Sequence, residues 1–258
     1  IQKIRRSVRG FPVVSDVEEL EEVHVAILAV ASRSVEIIAP KYLEKGINTV
    51  DAFDIHGDAI LKLKNYLGPI AKANNSVAIV SAGWDPGTNS VVRVLMEAIA
   101  PKGITYTNYG PGISLGHTVA VKAIDGVEDA VSITVPKGNG KHERLVYVKI
   151  KEERDFEEVS NIIKQDPYFI RDHTYVFKVD DVEAIADMGH GVHIERKGVS
   201  GKTHNQRMEF IMSVTNPAAT AQLMVSAARA SMKQKPGCYT LLEIPPIDYL
   251  MGAKDENI

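Results

Sequence analysis

Val77-Ala-Ile-Val80 runs directly into Ser81-Ala-Gly-Trp-Asp-Pro-Gly87, and this junction decides the fold. A short β-branched run ending abruptly in small residues and Pro reads as a buried strand that delivers its C-terminal end to a loop. In open parallel α/β sheets, that end is where ligands bind. The loop carries Trp84, the only tryptophan in the chain, next to Asp85. An indole offers a flat apolar wall and one N–H donor, and a carboxylate accepts from an ammonium group. The pair suits a ligand that has both charge and hydrocarbon. A plain turn, with Asp85 capping the next helix and Trp84 filling the core, reads the same residues equally well.

Outward from this junction, strands and helices alternate on the N-terminal side. Strands are expected over 24–30, 47–51 and 77–80, and helices over 34–45 and 56–73, the order of a parallel sheet with crossover helices. A helix is expected over 89–100. Beyond Pro101 the texture changes. Segments 104–108, 130–136, 145–150, 173–179, 192–196 and 208–214 read as extended, interrupted by helices over 117–123 and 156–165. That is an α+β pattern with a mixed or antiparallel sheet. A long Ala-rich helix over 218–234 follows Asn216-Pro217, with Pro217 well placed in its first turn. The expected organisation is a parallel α/β domain over 1–83 plus 217–258, interrupted by an inserted α+β sheet domain over 84–216. The chain starts at Ile1 as though a strand were already under way, and we expect an initial segment to precede it.

The 258 residues are 45% hydrophobic and 24% charged, with a formal net charge of −3. Nothing in that balance calls for nucleic acid or an anionic membrane as partner. No apolar run reaches the ~18 residues of a membrane span. The single cysteine, Cys238, permits no internal disulfide and fits the cytoplasm. His190-Gly-Val-His193 has one metal-like spacing without a suitable third ligand, so no metal is expected.

Other strand ends carry polar groups. Arg5, Arg6 and Ser7 follow the first visible strand, where guanidinium groups would pair with a 2′-phosphate and favour NADP over NAD; a solvated basic turn is the alternative. Ala29-Val-Ala-Ser-Arg-Ser34 ends a strand and opens a helix, placing Ala29, Val30, Ala31 and Ser32 where backbone N–H groups could face a cofactor. Ser32 would serve equally as an N-cap. Asp51-Ala-Phe-Asp54-Ile-His-Gly-Asp58 gathers three carboxylates at the next strand end, each explicable by capping or as part of an ammonium pocket. Tyr109-Gly-Pro-Gly112 and Gly116-His117 add an aromatic wall and a titratable group.

Taken together, Val50-Asp-Ala-Phe-Asp54, Gly83-Trp-Asp-Pro-Gly87, Tyr109-Gly-Pro-Gly112 with Gly116-His117, and Met232-Lys-Gln with Cys238-Tyr-Thr-Leu-Leu-Glu243 resemble meso-diaminopimelate dehydrogenase. Met188-Gly-His-Gly191 and Asn205-Gln-Arg-Met208 are similar to the family's second type, which accepts a broader range of D-amino acids. The resemblance implies a Rossmann-type domain with an inserted substrate-binding and dimerisation domain, and a homodimer. It implies NADP-dependent, reversible oxidative deamination of meso-2,6-diaminopimelate at the D-centre, serving lysine and diaminopimelate biosynthesis. By the same resemblance, Asp54, Asp58, Trp84, Asp85 and Tyr109 surround the reacting centre, with Leu115 and His117 nearby. Thr134, Arg144 and Asn216 hold the distant L-centre, and Gln206 occupies a substrate-contacting position. Asp54, Asp85 and His117 are the expected catalytic groups, Asp85 and His117 being alternatives for a general base. The cofactor set is Arg5, Arg6, Ser7, Ala29, Val30, Ala31, Ser32, Phe53, Asp54, Ala82, Gly83, Trp84, Asp85 and Pro86. The family's G-x-G-x-x-G loop is expected to lie before Ile1. Other readings of the residues are an NADP oxidoreductase for simple D-amino acids or sugars, and a non-catalytic ligand sensor of the same fold.

Overall fold

A computed structural model describes residues 7–185 and 189–252. A short exposed hairpin, β1 (Ser7–Val8) and β2 (Phe11–Pro12), opens the described chain. A parallel sheet follows, built from β3 (Val25–Leu28), β4 (Asn48–Asp51) and β5 (Val77–Ile79). Helices α1 (Ser32–Leu43) and α2 (Asp58–Ala73) connect these strands. After α3 (Thr88–Ile99) come β6 (Lys102–Ile113), α4 (Leu115–Lys122), β7 (Val127–Gly138) and β8 (Lys141–Ile150). Then follow α5 (Phe156–Gln165), β9 (His173–Lys178), β10 (His190–Ser200) and β11 (Thr203–Val214). Helix α6 (Asn216–Ser231) returns the chain to the first sheet, where β12 (Gly237–Tyr239) joins as the last strand.

The parallel sheet runs in the order β12-β5-β4-β3. Both of its faces are covered, which explains the unbroken apolar run at residues 77–80. Ala78 and Val80 pack with Val35, Ala39 and Leu43 of α1 and Leu63 and Leu67 of α2. Val77 and Ile79 face the other way, onto Met224, Ala227 and Ala230 of α6. A strand buried on both faces has no polar alternation to show. β12 escapes sequence reading because it is three residues long, opens on Gly237 and takes its place only by pairing with β5.

The second sheet has the order β11-β10-β6-β7-β8-β9, with β8 and β9 parallel and its other pairs antiparallel. The chain is therefore α/β, with a parallel sheet and a separate mixed sheet. One face of the mixed sheet is covered by α4 and α5 through Val121, Val146, Val148, Val159 and Ile163. Helix α3 covers the same face further along, through Met96 against Val192 and Ile194. Paired residues on adjacent strands share a face, so Gly112, Thr134, Arg144 and His190 also lie on this covered side. The expected extended segments are too short, most of all 104–108. β6 continues through Tyr109-Gly-Pro-Gly112, past a register shift opposite His190 and Val192. Its glycines permit close backbone approach: a Cβ on Gly112 would fall 1.9 Å from the Gly189 carbonyl oxygen.

Candidate active site

The carboxyl ends of β4 and β5 deliver two loops side by side, fastened by one buried carboxylate. Asp51 is fully buried, and its Oδ1 accepts from the Phe53 amide (2.9 Å) and the Ser81 amide (3.1 Å). Burial pushes its carboxyl up to about 6. Three residues on, Asp54 faces the space between the sheets. Its Oδ1 accepts from Ser32 Oγ (2.5 Å) and from the Tyr168 hydroxyl (2.7 Å). Its own amide donates to Ser32 Oγ at 3.1 Å. Ser32 thus serves Asp54 rather than capping α1, whose N-cap Ala31 makes no side-chain hydrogen bond. Gly116 leaves the room this carboxylate occupies, since a Cβ there would meet Asp54 Oδ2 at 1.9 Å. Burial and the adjacent Asp54 hold the Tyr168 phenol well above its ordinary range, so it stays a donor.

Asp85 does not cap α3; Gly87 stands at that position. The Asp85 side chain is 4% exposed, and Arg93 Nη2 donates to its Oδ1 at 2.6 Å. The Tyr109 hydroxyl donates to Oδ2 and accepts from Arg93 Nη1 at 3.1 Å. Trp84 is buried against Val192 and Ile194, with His190 edge-on at 4.9 Å. Its indole N–H is spent on Met212 Sδ at 3.0 Å rather than open to a carboxylate.

The opposite wall rises from the mixed sheet. Thr134 and Arg144 are directly paired across β7 and β8, and both are buried. Arg144 donates through Nη1 to Thr134 Oγ1 and through Nε to Asp172 Oδ2, the latter at 2.6 Å. His142 Nε2 accepts from the Tyr109 amide at 2.7 Å, leaving Nδ1 to carry the proton. Burial, then Arg144, lowers its proton affinity. Asn216 Oδ1 accepts from Thr220 Oγ1 at 2.8 Å, which frees the amide nitrogen. His117 Nδ1 lies 2.7 Å from Ser114 Oγ. Burial, with help from Arg144, pushes its imidazole down to about 3, so it is neutral at physiological pH.

These groups share one cleft of about 1100 Å³ between the two sheets. Asp54, Gly83, Trp84, Asp85, Pro86, Tyr109, Leu115, His117, Thr134, Arg144 and Asn216 all line it. A smaller pocket of about 190 Å³ adjoins it, lined by Val30, Ala31, Ser32, Asp54 and Gly116 among others. Small side chains at the uncapped N-terminus of α1, with Asp54 on the boundary, fit a flat ring and an anionic group of a dinucleotide. Some expected residues stand elsewhere. Asp58 is exposed at the first position of α2, where an acidic side chain complements the helix dipole, and it lines neither pocket. Gln206 pairs with Gly198 close to the β10–β11 turn, far along the ladder from the His190–Val214 end that reaches the cleft. Phe53 and Ala82 are packed into the core, and Ala29 and Ser7 touch neither pocket. Arg5 and Arg6 lie outside the described residues.

Three residues that fasten the groups of the cleft carry no expectation from sequence. Arg93 lies on the second turn of α3 and reaches back to the loop before it; an Asp in a loop followed by an Arg two turns into the next helix is the signal that announces it. Tyr168 and Asp172 belong to Asp166-Pro-Tyr-Phe-Ile-Arg-Asp172, a polar and aromatic loop between helix and strand of the kind that commonly carries function.

Residues 83–140 match the family model described as the diaminopimelic acid dehydrogenase C-terminal domain. A "Meso-diaminopimelate D-dehydrogenase" of Bacteroides fragilis is 58% identical over 248 residues, 96% of this chain and 83% of that protein. The chain belongs to the meso-diaminopimelate D-dehydrogenase family. Solved structures agree with that family's fold. The C. glutamicum DAP dehydrogenase in complex with DAP superposes with a TM-score of 0.83 at 29% identity, covering 95% of this chain and 85% of that one. An engineered D-amino acid dehydrogenase bound to NADP+ gives 0.82 at 29% identity, covering 91% and 80%. The stretch matching the family model begins at Gly83 and ends at Gly140, so it carries Trp84, Asp85, Tyr109, His117 and Thr134, residues from both walls of the cleft.

Proposed function

We propose that this chain carries out the NADP-dependent, reversible oxidative deamination of meso-2,6-diaminopimelate at its D-centre, giving L-2-amino-6-oxopimelate and ammonia. The observation that carries this reading is the cleft's polarity along its length. A carboxylate with an unengaged oxygen, Asp54 Oδ2, stands at the boundary with the small pocket, and a buried guanidinium, Arg144, stands on the other wall. A substrate with an amino-acid head at each end needs both. NADP, when bound, supplies the hydride acceptor. Val30, Ala31, Ser32 and Asp54 would border its nicotinamide end, and Arg5 and Arg6 would take the 2′-phosphate.

The protein's part is orientation and electrostatics. As hydride leaves Cα, positive charge grows on the substrate nitrogen, and a fixed carboxylate nearby stabilises it without reorganising. Asp54 is fixed by Ser32 and Tyr168 and keeps Oδ2 for that role. Asp85 is already neutralised by Arg93 and bonded to Tyr109, so its task is to hold the 83–87 loop and the Tyr109 ring against the substrate. We assign the general base to neither Asp85, whose two oxygens are engaged, nor His117, a weak base near neutral pH. At the other end, Arg144 and Thr134, joined by the Asn216 amide nitrogen, hold the L-centre carboxylate, which sets the register of the chain and so selects the D-centre for reaction.

We infer further that the enzyme works in the cytoplasm, in the lysine and diaminopimelate route, with 1–83 plus 217–258 as dinucleotide domain and 84–216 as substrate and dimerisation domain. The exposed Ile104, Tyr175, Phe177 and Ile211 on the mixed sheet would pack against a second copy; light scattering of the purified protein is expected to give twice the chain mass, and a value of one chain mass rejects the dimer. The activity is tested by following reduced-nicotinamide absorbance with NADP and meso-diaminopimelate, beside D-alanine and a sugar. Turnover of diaminopimelate far above the other two is the expected result, and none with any of the three rejects the assignment.

A further inference from the structure

Four carboxylates line the cleft: Asp54, Asp85, Asp166 and Asp172. Two are saturated. Asp85 is held through both oxygens by Arg93 and Tyr109. Asp166 faces Arg33 Nη2 with both oxygens, at 3.2 and 3.3 Å, and its Oδ1 accepts the Tyr168 amide at 2.9 Å. The other two each keep one oxygen free of any donor among the described residues, Oδ2 of Asp54 and Oδ1 of Asp172. Asp172 stands beside Arg144, which it meets through a single oxygen on Nε. Its backbone is fixed there: its amide donates to the Phe169 carbonyl at 3.0 Å, its carbonyl accepts from Thr174 Oγ1 at 3.2 Å, and Thr174 pairs with Arg144 across β8 and β9. The side chain is 20% exposed, open to the cleft yet anchored.

We propose that Asp172 accepts the ammonium group of the substrate's distal amino-acid head, so that Arg144 and Asp172 together read that head as a zwitterion. This rests on the function proposed above and deepens it. A distal carboxylate finds donors in Arg144, the Asn216 amide nitrogen and Arg171, a second cation on the cleft wall. Among the described residues, however, a distal ammonium entering the same end meets only one carboxylate oxygen that is not already engaged. Left without an acceptor it would lose hydration and gain nothing in return. A charge-assisted bond to Asp172 Oδ1 supplies the partner. The residue thereby makes the enzyme choose diaminopimelate over a seven-carbon diacid that carries only the near amine.

Asp172→Asn keeps the volume and leaves a carbonyl oxygen for Arg144 Nε while removing the charge. The test compares this variant with the unaltered enzyme, using the KM for meso-diaminopimelate and the inhibition constant of D-2-aminopimelate, which has the distal carboxylate but no distal amine. The expected result is a rise of about 10-fold or more in the first, the scale of one lost charged hydrogen bond, with the second within about twofold. Asp172→Glu, which restores the charge, should recover part of the difference, and thermal melts establish that both variants fold. Equal increases for the two compounds would show that Asp172 acts only by holding Arg144, and no change in either would show that it accepts nothing; each outcome overturns the proposal. An unaltered enzyme inert towards meso-diaminopimelate overturns instead the function on which it rests.

Discussion

At the parallel-sheet end of the cleft, Asp54, Trp84 and Asp85 ride on loops that have just left their strands, whereas at the mixed-sheet end Thr134 and Arg144 project from the pleat of strands that continue past them. The loop-borne groups need fastening, and each has it. Asp51 ties the two loops to one another, Ser32 and Tyr168 hold Asp54, and Arg93 holds Asp85. The strand-borne groups need less, since the ladder fixes their backbone, and Arg144 is steadied by Thr134 opposite and Asp172 on the neighbouring strand's approach. The difference teaches that reactivity sits where the backbone is free to be shaped, and recognition where it is rigid. One segment, 166–172, touches both: Tyr168 bonds Asp54 and Asp172 bonds Arg144.

That contrast can be broken at several points. The largest expected effect is at the reactive end. Asp54→Asn removes the fixed negative charge while leaving an oxygen for Ser32 and Tyr168, and kcat should fall by about 10²–10³ with a smaller change in KM; steady-state kinetics decide, and a loss confined to KM would move Asp54 to the recognition side. Next comes the fastening of Asp85. Arg93→Met leaves a 4%-exposed carboxylate without its cation. Chemical denaturation should show a loss of about 3 kcal/mol, and a stability unchanged from the parent would mean the 83–87 loop holds itself. At the recognition end, Arg144→Met should raise the KM for diaminopimelate about 10–100-fold and leave kcat less affected, the converse of Asp54→Asn. If both variants fail in the same constant, the two ends do not divide the work.

The smallest effect concerns pH. Burial holds His190 down to about 4, below its unfolded value, so the unfolded chain binds a proton that the folded one refuses between those two values. Its contribution to stability is full above pH 6.5 and is lost as pH falls towards 4, about 2 kcal/mol by pH 5. Asp51 works in the opposite sense, because its raised value of about 6 makes the folded carboxyl the better proton binder. Its contribution is full below the unfolded value of 3.8 and is lost as pH rises through 6. Melting temperatures from pH 7 to 5 should therefore fall less steeply in His190→Gln than in the parent, and more steeply in Asp51→Asn. Identical slopes in all three proteins would contradict the burial of these groups.

The loop-borne end is largely legible in the residues themselves. Val77-Ala-Ile-Val80 announces a strand with both faces buried, and Gly83-Trp-Asp-Pro-Gly87 places Trp84 and Asp85 at its mouth because neighbours in sequence remain neighbours in a loop. Even there the hydrogen-bond partners are hidden. Nothing local says that the Trp84 N–H is spent on Met212, or that Ser32 serves Asp54 instead of its own helix. The strand-borne end is carried by resemblance alone, and the local hints at Arg93, Tyr168 and Asp172, an Asp–Arg spacing and a polar aromatic loop, do not name their partners because the groups they serve are not set beside them by sequence. Asp58 and Gln206 are drawn in by the same resemblance, yet the helix start and the β10–β11 ladder keep them away from the cleft.

Order along the chain and residue chemistry by themselves determined the alternation of elements, the two kinds of sheet and the carboxylates at the strand ends, because periodicity and turn residues act over a few positions. The strand register, β12 beside β5, and which oxygens stay unengaged were decided only by the tertiary structure. A hydrogen bond across a cleft depends on where two distant backbones come to rest, and packing over the whole molecule sets that distance.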